Sequence, residues 1–128
     1  RIIYSDVGLV FANNPLGVPS TPILASRPVD FGEEVAIAGF GETTPDGTVG
    51  QLNAGFANIS DASPNHLFIT YQQHQSHPCK GDSGGPMLVY VNGTWAIAGI
   101  ASQSDPSVSV NNICQEGDIT LYTNLQKN

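Results

Sequence analysis

Positive charge is what this sequence has least of. Four Lys and Arg stand against 11 Asp and Glu in 128 residues, a formal net charge of −7. A nucleic acid or an anionic membrane needs a basic face, so neither is expected as a partner. No run approaches the roughly 18 apolar residues of a membrane-spanning helix. The N-terminus lacks the charged-then-apolar layout of a signal peptide, an absence that says nothing of a processed piece. Helical periodicity is almost missing. Cysteine is scarce as well: Cys79 and Cys114 are alone and have no C-x-x-C spacing. An even count in a low-charge chain fits one disulfide in an oxidising compartment, and fits two buried thiols nearly as well. Two N-x-S/T strings, Asn58-Ile59-Ser60 and Asn92-Gly93-Thr94, matter only where the source glycosylates.

What remains is a globular composition, 40% hydrophobic, with 14 Gly and 9 Pro. The length suits one domain with a real core. Short apolar or alternating runs rich in Val, Ile, Phe and Tyr read as strands: Val7 to Ala12, Glu34 to Phe40, Gly50 to Phe56, His66 to Tyr71, Pro86 to Val91, Thr94 to Ser102 and Asp118 to Tyr122. Turn formers cut between them, at Asn13-Asn14-Pro15, Pro45-Asp46-Gly47 and Asn92-Gly93. The last predicts a two-residue hairpin. Strands at this spacing without helices predict an antiparallel barrel or sandwich. Gly17 to Asp30, with three prolines, reads as an extended linker between packing units.

The densest signal is Gly81-Asp82-Ser83-Gly84-Gly85-Pro86. Glycine costs backbone entropy, so three within five positions imply a tight, unusual path. Such a path can hold a hydroxyl outward with backbone N–H groups free beside it, which suits a nucleophilic serine. In isolation a plain glycine-rich turn is the better reading. Its surroundings change that. Asp6-Val7-Gly8-Leu9, Gly39-Phe40-Gly41, Trp95 to Ser102, and Cys114 followed by Tyr122-Thr123-Asn124-Leu125 lie in matching order. With them the chain resembles the C-terminal half of the trypsin/chymotrypsin-like serine proteases.

The resemblance implies an all-β fold: a six-stranded antiparallel barrel over residues 28–128, the second barrel of such an enzyme. Residues 1–27 would be the end of the first barrel and the inter-barrel linker. It implies Ser83 as nucleophile and the N–H groups of Gly81 and Ser83 as the oxyanion hole. Asp6 would be the buried acid that orients the imidazole. Asp82 would be structural, pairing with an N-terminal ammonium, and without that ammonium it would stand unpaired beside a mobile loop. His77, six residues before Ser83, would floor the specificity pocket, with Ser102, Gln103, Ser104 and Thr120 as further substrate-binding residues and Lys80 at the rim. Histidine in place of an acid argues against cleavage after Lys or Arg. Side chains at Ser104 and Thr120, where relatives often have glycine, favour small or medium uncharged residues, with an acidic residue as runner-up. Cys79 and Cys114, on either side of that pocket, are expected to be bridged. Val35 and Val89 stand where many relatives carry a second cysteine pair, and Gln103 where most have tryptophan.

The base is the missing piece. None of His66, His74 and His77 sits in the Ala-His-Cys context of the family's base, which would lie upstream of Asp6. His66 and His74 read as solvated or satisfied side chains. Arg1-Ile2-Ile3 looks like an activation site, but Asp6 follows too soon for that. The tail Gln126-Lys127-Asn128 is shorter than the family's final helix. The expected function is therefore a secreted serine endopeptidase acting on protein or peptide substrates. An N-terminal segment of the same protease would supply the histidine, and this chain alone would be inactive. No metal or cofactor is expected. The alternative is a non-catalytic homologue that serves as a protein-binding module. A small carbohydrate- or protein-binding β-module has only the strand pattern in its favour.

Overall fold

Short alternating runs bounded by turn residues leave each strand one face to bury, and the sheet that results follows from that constraint. The computed structural model describes residues 1–44, 46–108 and 114–126. Pro45 of the Pro45-Asp46-Gly47 turn and Lys127-Asn128 of the tail lie outside the described residues. Among those described, the strands are β1 (Glu34–Gly39), β2 (Asn53–Asn58), β3 (Asp61–Ala62), β4 (His66–Thr70), β5 (Pro86–Val91), β6 (Thr94–Ser104) and β7 (Ile119–Asn124). They form one antiparallel sheet in the order β2-β1-β5-β6-β7-β4-β3.

The seven strands reduce to the expected six. Only Ile59 and Ser60 separate β2 from β3. The Ile59 N–H donates to Glu33 O at 2.9 Å, on the β1 side, and the Ser60 N–H donates to Phe68 O at 2.9 Å, on the β4 side. One bent strand therefore joins the two ends of the sheet and brings it round into a barrel. Ile59, 1% exposed, fills the inside of the bend.

Alternation then builds the core. Val35 and Ile37 of β1, Leu67 and Ile69 of β4, and Met87 and Val89 of β5 all point inward. Val35 and Val89 are both fully buried, so apolar packing occupies the place where relatives carry a cysteine pair. The β5–β6 hairpin turns at Asn92 (φ 51°) and Gly93 (φ 80°), both left-handed as a type I′ turn requires.

The Val7–Ala12 run forms no strand, contrary to its pattern. No neighbouring strand offers it a ladder, and Leu9, Val10 and Phe11 are 82, 99 and 89% exposed. The chain joins the barrel at Pro22–Leu24, a few residues ahead of the expected boundary at 27/28. There the Ile97 N–H donates to Pro22 O (2.8 Å), the Leu24 N–H donates to Ile97 O (2.9 Å), and Leu24 enters the core. Before that, residues 1–6 are tied to described residues of β4, β6 and β7.

Candidate active site

The Ser83 loop lies between Cys79 and the start of β5. Gly81 has φ +93°, a conformation that favours glycine, and a Cβ there would stand a tight 3.0 Å from the Gly41 Cα. The loop is stapled to β6: the Gly84 N–H donates to Ala101 O at 2.8 Å, and the Ala101 N–H donates to Gly85 O at 2.9 Å. Ser83 is exposed. Among the described residues, neither its N–H nor that of Gly81 donates a backbone hydrogen bond. An exposed serine on a loop with two N–H groups outside the backbone ladder has the donor set that could receive a carbonyl and hold developing negative charge.

Asp82 is anchored rather than unpaired. Its Oδ1 accepts from the Gly41 N–H and its Oδ2 from the Cys79 N–H, both at 2.8 Å. Its carboxylate occupies space that side chains on Gly39 and Gly41 would need: a Cβ at Gly39 would come within 1.9 Å of Oδ1. The expectation of an unpaired Asp82 is thus overturned by two backbone donors. The same carboxylate adds to burial in pushing the Tyr122 phenol well above its ordinary range, burial being the larger cause.

Asp6 is reached from β6. Ala101 pairs with Tyr122 and Gln103 with Leu121, so Ser102 is an extra residue, a bulge. The bulge re-aims its side chain, and the Ser102 hydroxyl donates to Asp6 Oδ2 at 2.7 Å. Thr123 Oγ1 donates to the Asp6 carbonyl at 3.0 Å. Asp6 itself is exposed, not buried as expected, because its contacts come from one side only. Gln103 holds the segment ahead of it. Its carboxamide donates to Arg1 O and accepts from the Ile3 N–H, each at 3.1 Å.

A cleft of about 480 Å³ brings Ser83 together with Lys80, Ser102, Gln103, Ser104 and Thr120. His77 is not among its walls. It lines a larger neighbouring cleft of about 680 Å³, with Tyr71, Gly41 and Asp82, which holds neither Ser83 nor Asp6. His77, expected as the pocket floor, instead meets the Ser83 cleft through Thr120, whose hydroxyl shares a hydrogen bond of 3.2 Å with His77 Nε2. Burial holds the His77 pKa below its usual 6.5, with the Asp118 carboxylate opposing.

Asp118 is expected at the start of a strand, in a segment that walls the specificity pocket. It is buried, and its Oδ2 accepts from the Cys114 N–H (2.8 Å) and, more weakly, from the Ser104 hydroxyl (3.5 Å). The cue available was an acid four residues after Cys114 across a glycine turn, an arrangement that lets a side chain cap its own loop. Cys79 and Cys114 are bridged, with Cα atoms 5.3 Å apart, which ties this loop to the nucleophile loop.

The other histidines are placed elsewhere. His66 is 3% exposed and satisfied: its Nε2–H donates to Ile3 O at 2.9 Å, and its ring packs by Tyr4. His74 is exposed in a loop. Among the described residues no imidazole bonds to Ser83, and no group of three His, Cys, Asp or Glu is placed to hold a metal ion.

An antiparallel barrel with a serine loop on a cleft, one wall residue of which bonds an aspartate, has the features of a class, the serine-protease-like β-barrels. The trypsin family profile matches residues 3–127, and the chain belongs to the trypsin family. Among solved structures, a mutant of human heparin-binding protein is similar, with a TM-score of 0.66 and 21% sequence identity. The match covers 91% of this chain and 49% of that one, so the chain spans about half the length of its structural neighbour. The family and the bridge suit an extracellular or otherwise oxidising compartment.

Proposed function

We propose that this chain is the nucleophile-bearing half of a serine endopeptidase. In it Ser83 attacks the peptide carbonyl, the Gly81 and Ser83 N–H groups hold the oxyanion, and Asp6 orients an imidazole supplied by a segment outside these 128 residues. The observation that carries this reading is the Ser102–Asp6 hydrogen bond of 2.7 Å. It sets the acid against a residue that also walls the Ser83 cleft. A serine hydroxyl stays protonated and weakly nucleophilic without a base, so the isolated chain is inactive. The open side of Asp6 is where the imidazole would dock, and residues 1–22 would complete the first barrel around it.

Specificity follows from the cleft. Thr120 and Ser104 put side chains into its wall, and His77 lies outside it with a pKa that burial lowers, so it is poorly suited to meet a substrate carboxylate. Small or medium uncharged residues before the scissile bond fit best. Lys80 at the rim is the one feature that favours an acidic residue. The heparin binding in the neighbour's name does not carry over, because a chain of net charge −7 repels a polyanion.

The second reading, a non-catalytic binding module, rests on the lack of an imidazole bonded to Ser83 among the described residues. Co-refolding with a histidine-bearing first-barrel segment of a trypsin-family protease separates the two. Phosphonate labelling of Ser83 and turnover of a peptide library are expected, and Ser83→Ala should abolish both. A well-folded two-segment complex that neither labels nor turns over would establish the binding module instead.

A further inference from the structure

Outside both clefts, the tip of the β5–β6 hairpin carries an unexplained group of aromatic side chains. Tyr90 and Trp95 are cross-strand partners with ring centroids 5.1 Å apart, and Phe56 of β2 lies 6.4 Å from Trp95. Tyr90 is 60% exposed, Phe56 54% and Trp95 39%. Two residues after Tyr90 stands Asn92, exposed in the type I′ turn, followed by Gly93 and an exposed Thr94. Asn92-Gly93-Thr94 is an N-glycosylation acceptor string on a surface turn, the setting such acceptors need.

The other string has an exposed Asn58 too, but its amide is engaged. The Asn58 side-chain N–H donates to Gly32 O at 3.0 Å, and its Oδ1 accepts from Gln75 Nε2 at 3.2 Å. The next residue, Ile59, is buried in the barrel bend. A sugar on Asn58 would take one of the two amide hydrogens and crowd these contacts, whereas Asn92 has no such side-chain contacts to crowd among the described residues.

We propose that Asn92 is an N-glycosylation site, that its first N-acetylglucosamine lies on the Tyr90 and Trp95 rings, and that Asn58 stays unmodified. The aromatic face is electron-rich and the sugar's axial C–H bonds are electron-poor, so the two surfaces match. Attachment uses an oligosaccharide linked to an isoprenoid diphosphate, the donor of glycosylating secretory routes, and a host transferase. The Asn92 amide nitrogen forms a bond to the anomeric carbon and loses one proton. The bond from that carbon to the diphosphate oxygen breaks, and the lipid diphosphate leaves with the electron pair. The proposal needs export by such a route, not peptidase activity, so it stands or falls apart from the function proposed above.

The test uses the protein secreted from a glycosylating eukaryotic cell. Peptide-N-glycosidase treatment in ¹⁸O-water should mark Asn92 and leave Asn58 unmarked. An unmarked Asn92, deamidation there without ¹⁸O, or a marked Asn58 overturns the proposal. For the stacking, the glycan is trimmed to one sugar and compared with the sugar-free protein. The melting midpoint should fall by a few degrees on losing the sugar in the wild type, and hardly at all in Tyr90→Ala. Where alanine prevents folding, Tyr90→Thr keeps strand propensity and serves in its place. An equal fall in wild type and variant rejects the contact with Tyr90.

Discussion

His77 carries an imidazole to a place where charge is costly. It packs edge-on against Tyr71 at 5.0 Å and shares its Nε2 with Thr120, and burial outweighs the help of Asp118 and Asp82. Its folded pKa therefore lies below the 6.5 of the unfolded chain. As pH falls through 6.5 the unfolded state takes up the proton first, so stability drops until the lowered folded pKa is passed. Melting midpoints between pH 7.5 and 5 should fall more steeply for the wild type than for His77→Gln, which keeps a polar partner for Thr120. Parallel slopes would place the pH sensitivity elsewhere. Asp82 illustrates the opposite solution. Its charge is accepted because two backbone N–H groups meet it and glycines at 39 and 41 leave it room.

At the scale of elements, two devices shape the site: the β6 bulge and the Cys79–Cys114 bridge. The bulge turns Ser102 out of register toward Asp6. The bridge spans 35 residues and joins the loop before β5 to the loop before β7. Closing a loop of that length is worth roughly 3–4 kcal/mol in the chain-entropy picture. Cys79→Ser with Cys114→Ser should lower unfolding stability by about that amount in urea titration. A loss below ~1 kcal/mol would mean that the loops are held by their other bonds, those of Asp82 and Asp118. Much of the strand content was legible, since alternation and turn residues mark β1, β4 and β5 closely. β3 was not, because two residues carry no period and its pairing depends on a bend at Ile59-Ser60. Nor could the Ser102 bulge be read, since it is a property of the β6–β7 register. Asp82's acceptor role toward Gly41 spans 41 residues of chain, and Thr120 stands before His77 only because β7 crosses there. The nucleophile loop was legible because its glycines answer local backbone demands. The exposure of Asp6 could not be read either, because burial depends on everything around it.

For the molecule as a whole, the barrel is complete and the segment before it is not. The core is drawn from Leu24, Val29 and the strands, whereas Leu9, Val10, Phe11, Leu16 and Val18 present apolar side chains to water, all more than 70% exposed. These five lie within ten residues of one another, and a contiguous apolar stretch of this kind is a candidate interaction surface. The N-terminal six residues are fixed to the barrel by His66, Gln103, Ser102 and Thr123, so the apolar stretch is held between two anchors, that site and Ile23–Leu24. This is the geometry expected if residues 7–22 serve as a seam for the first barrel. Leu9→Lys with Phe11→Glu should leave the melting midpoint of the isolated chain nearly unchanged, because neither side chain contributes to its core. The same pair should abolish co-assembly with a first-barrel segment, read as loss of the heavier species in light scattering after size exclusion. A double variant that still assembles would move the seam elsewhere. One that unfolds the isolated chain would show that residues 7–22 belong to the second barrel after all.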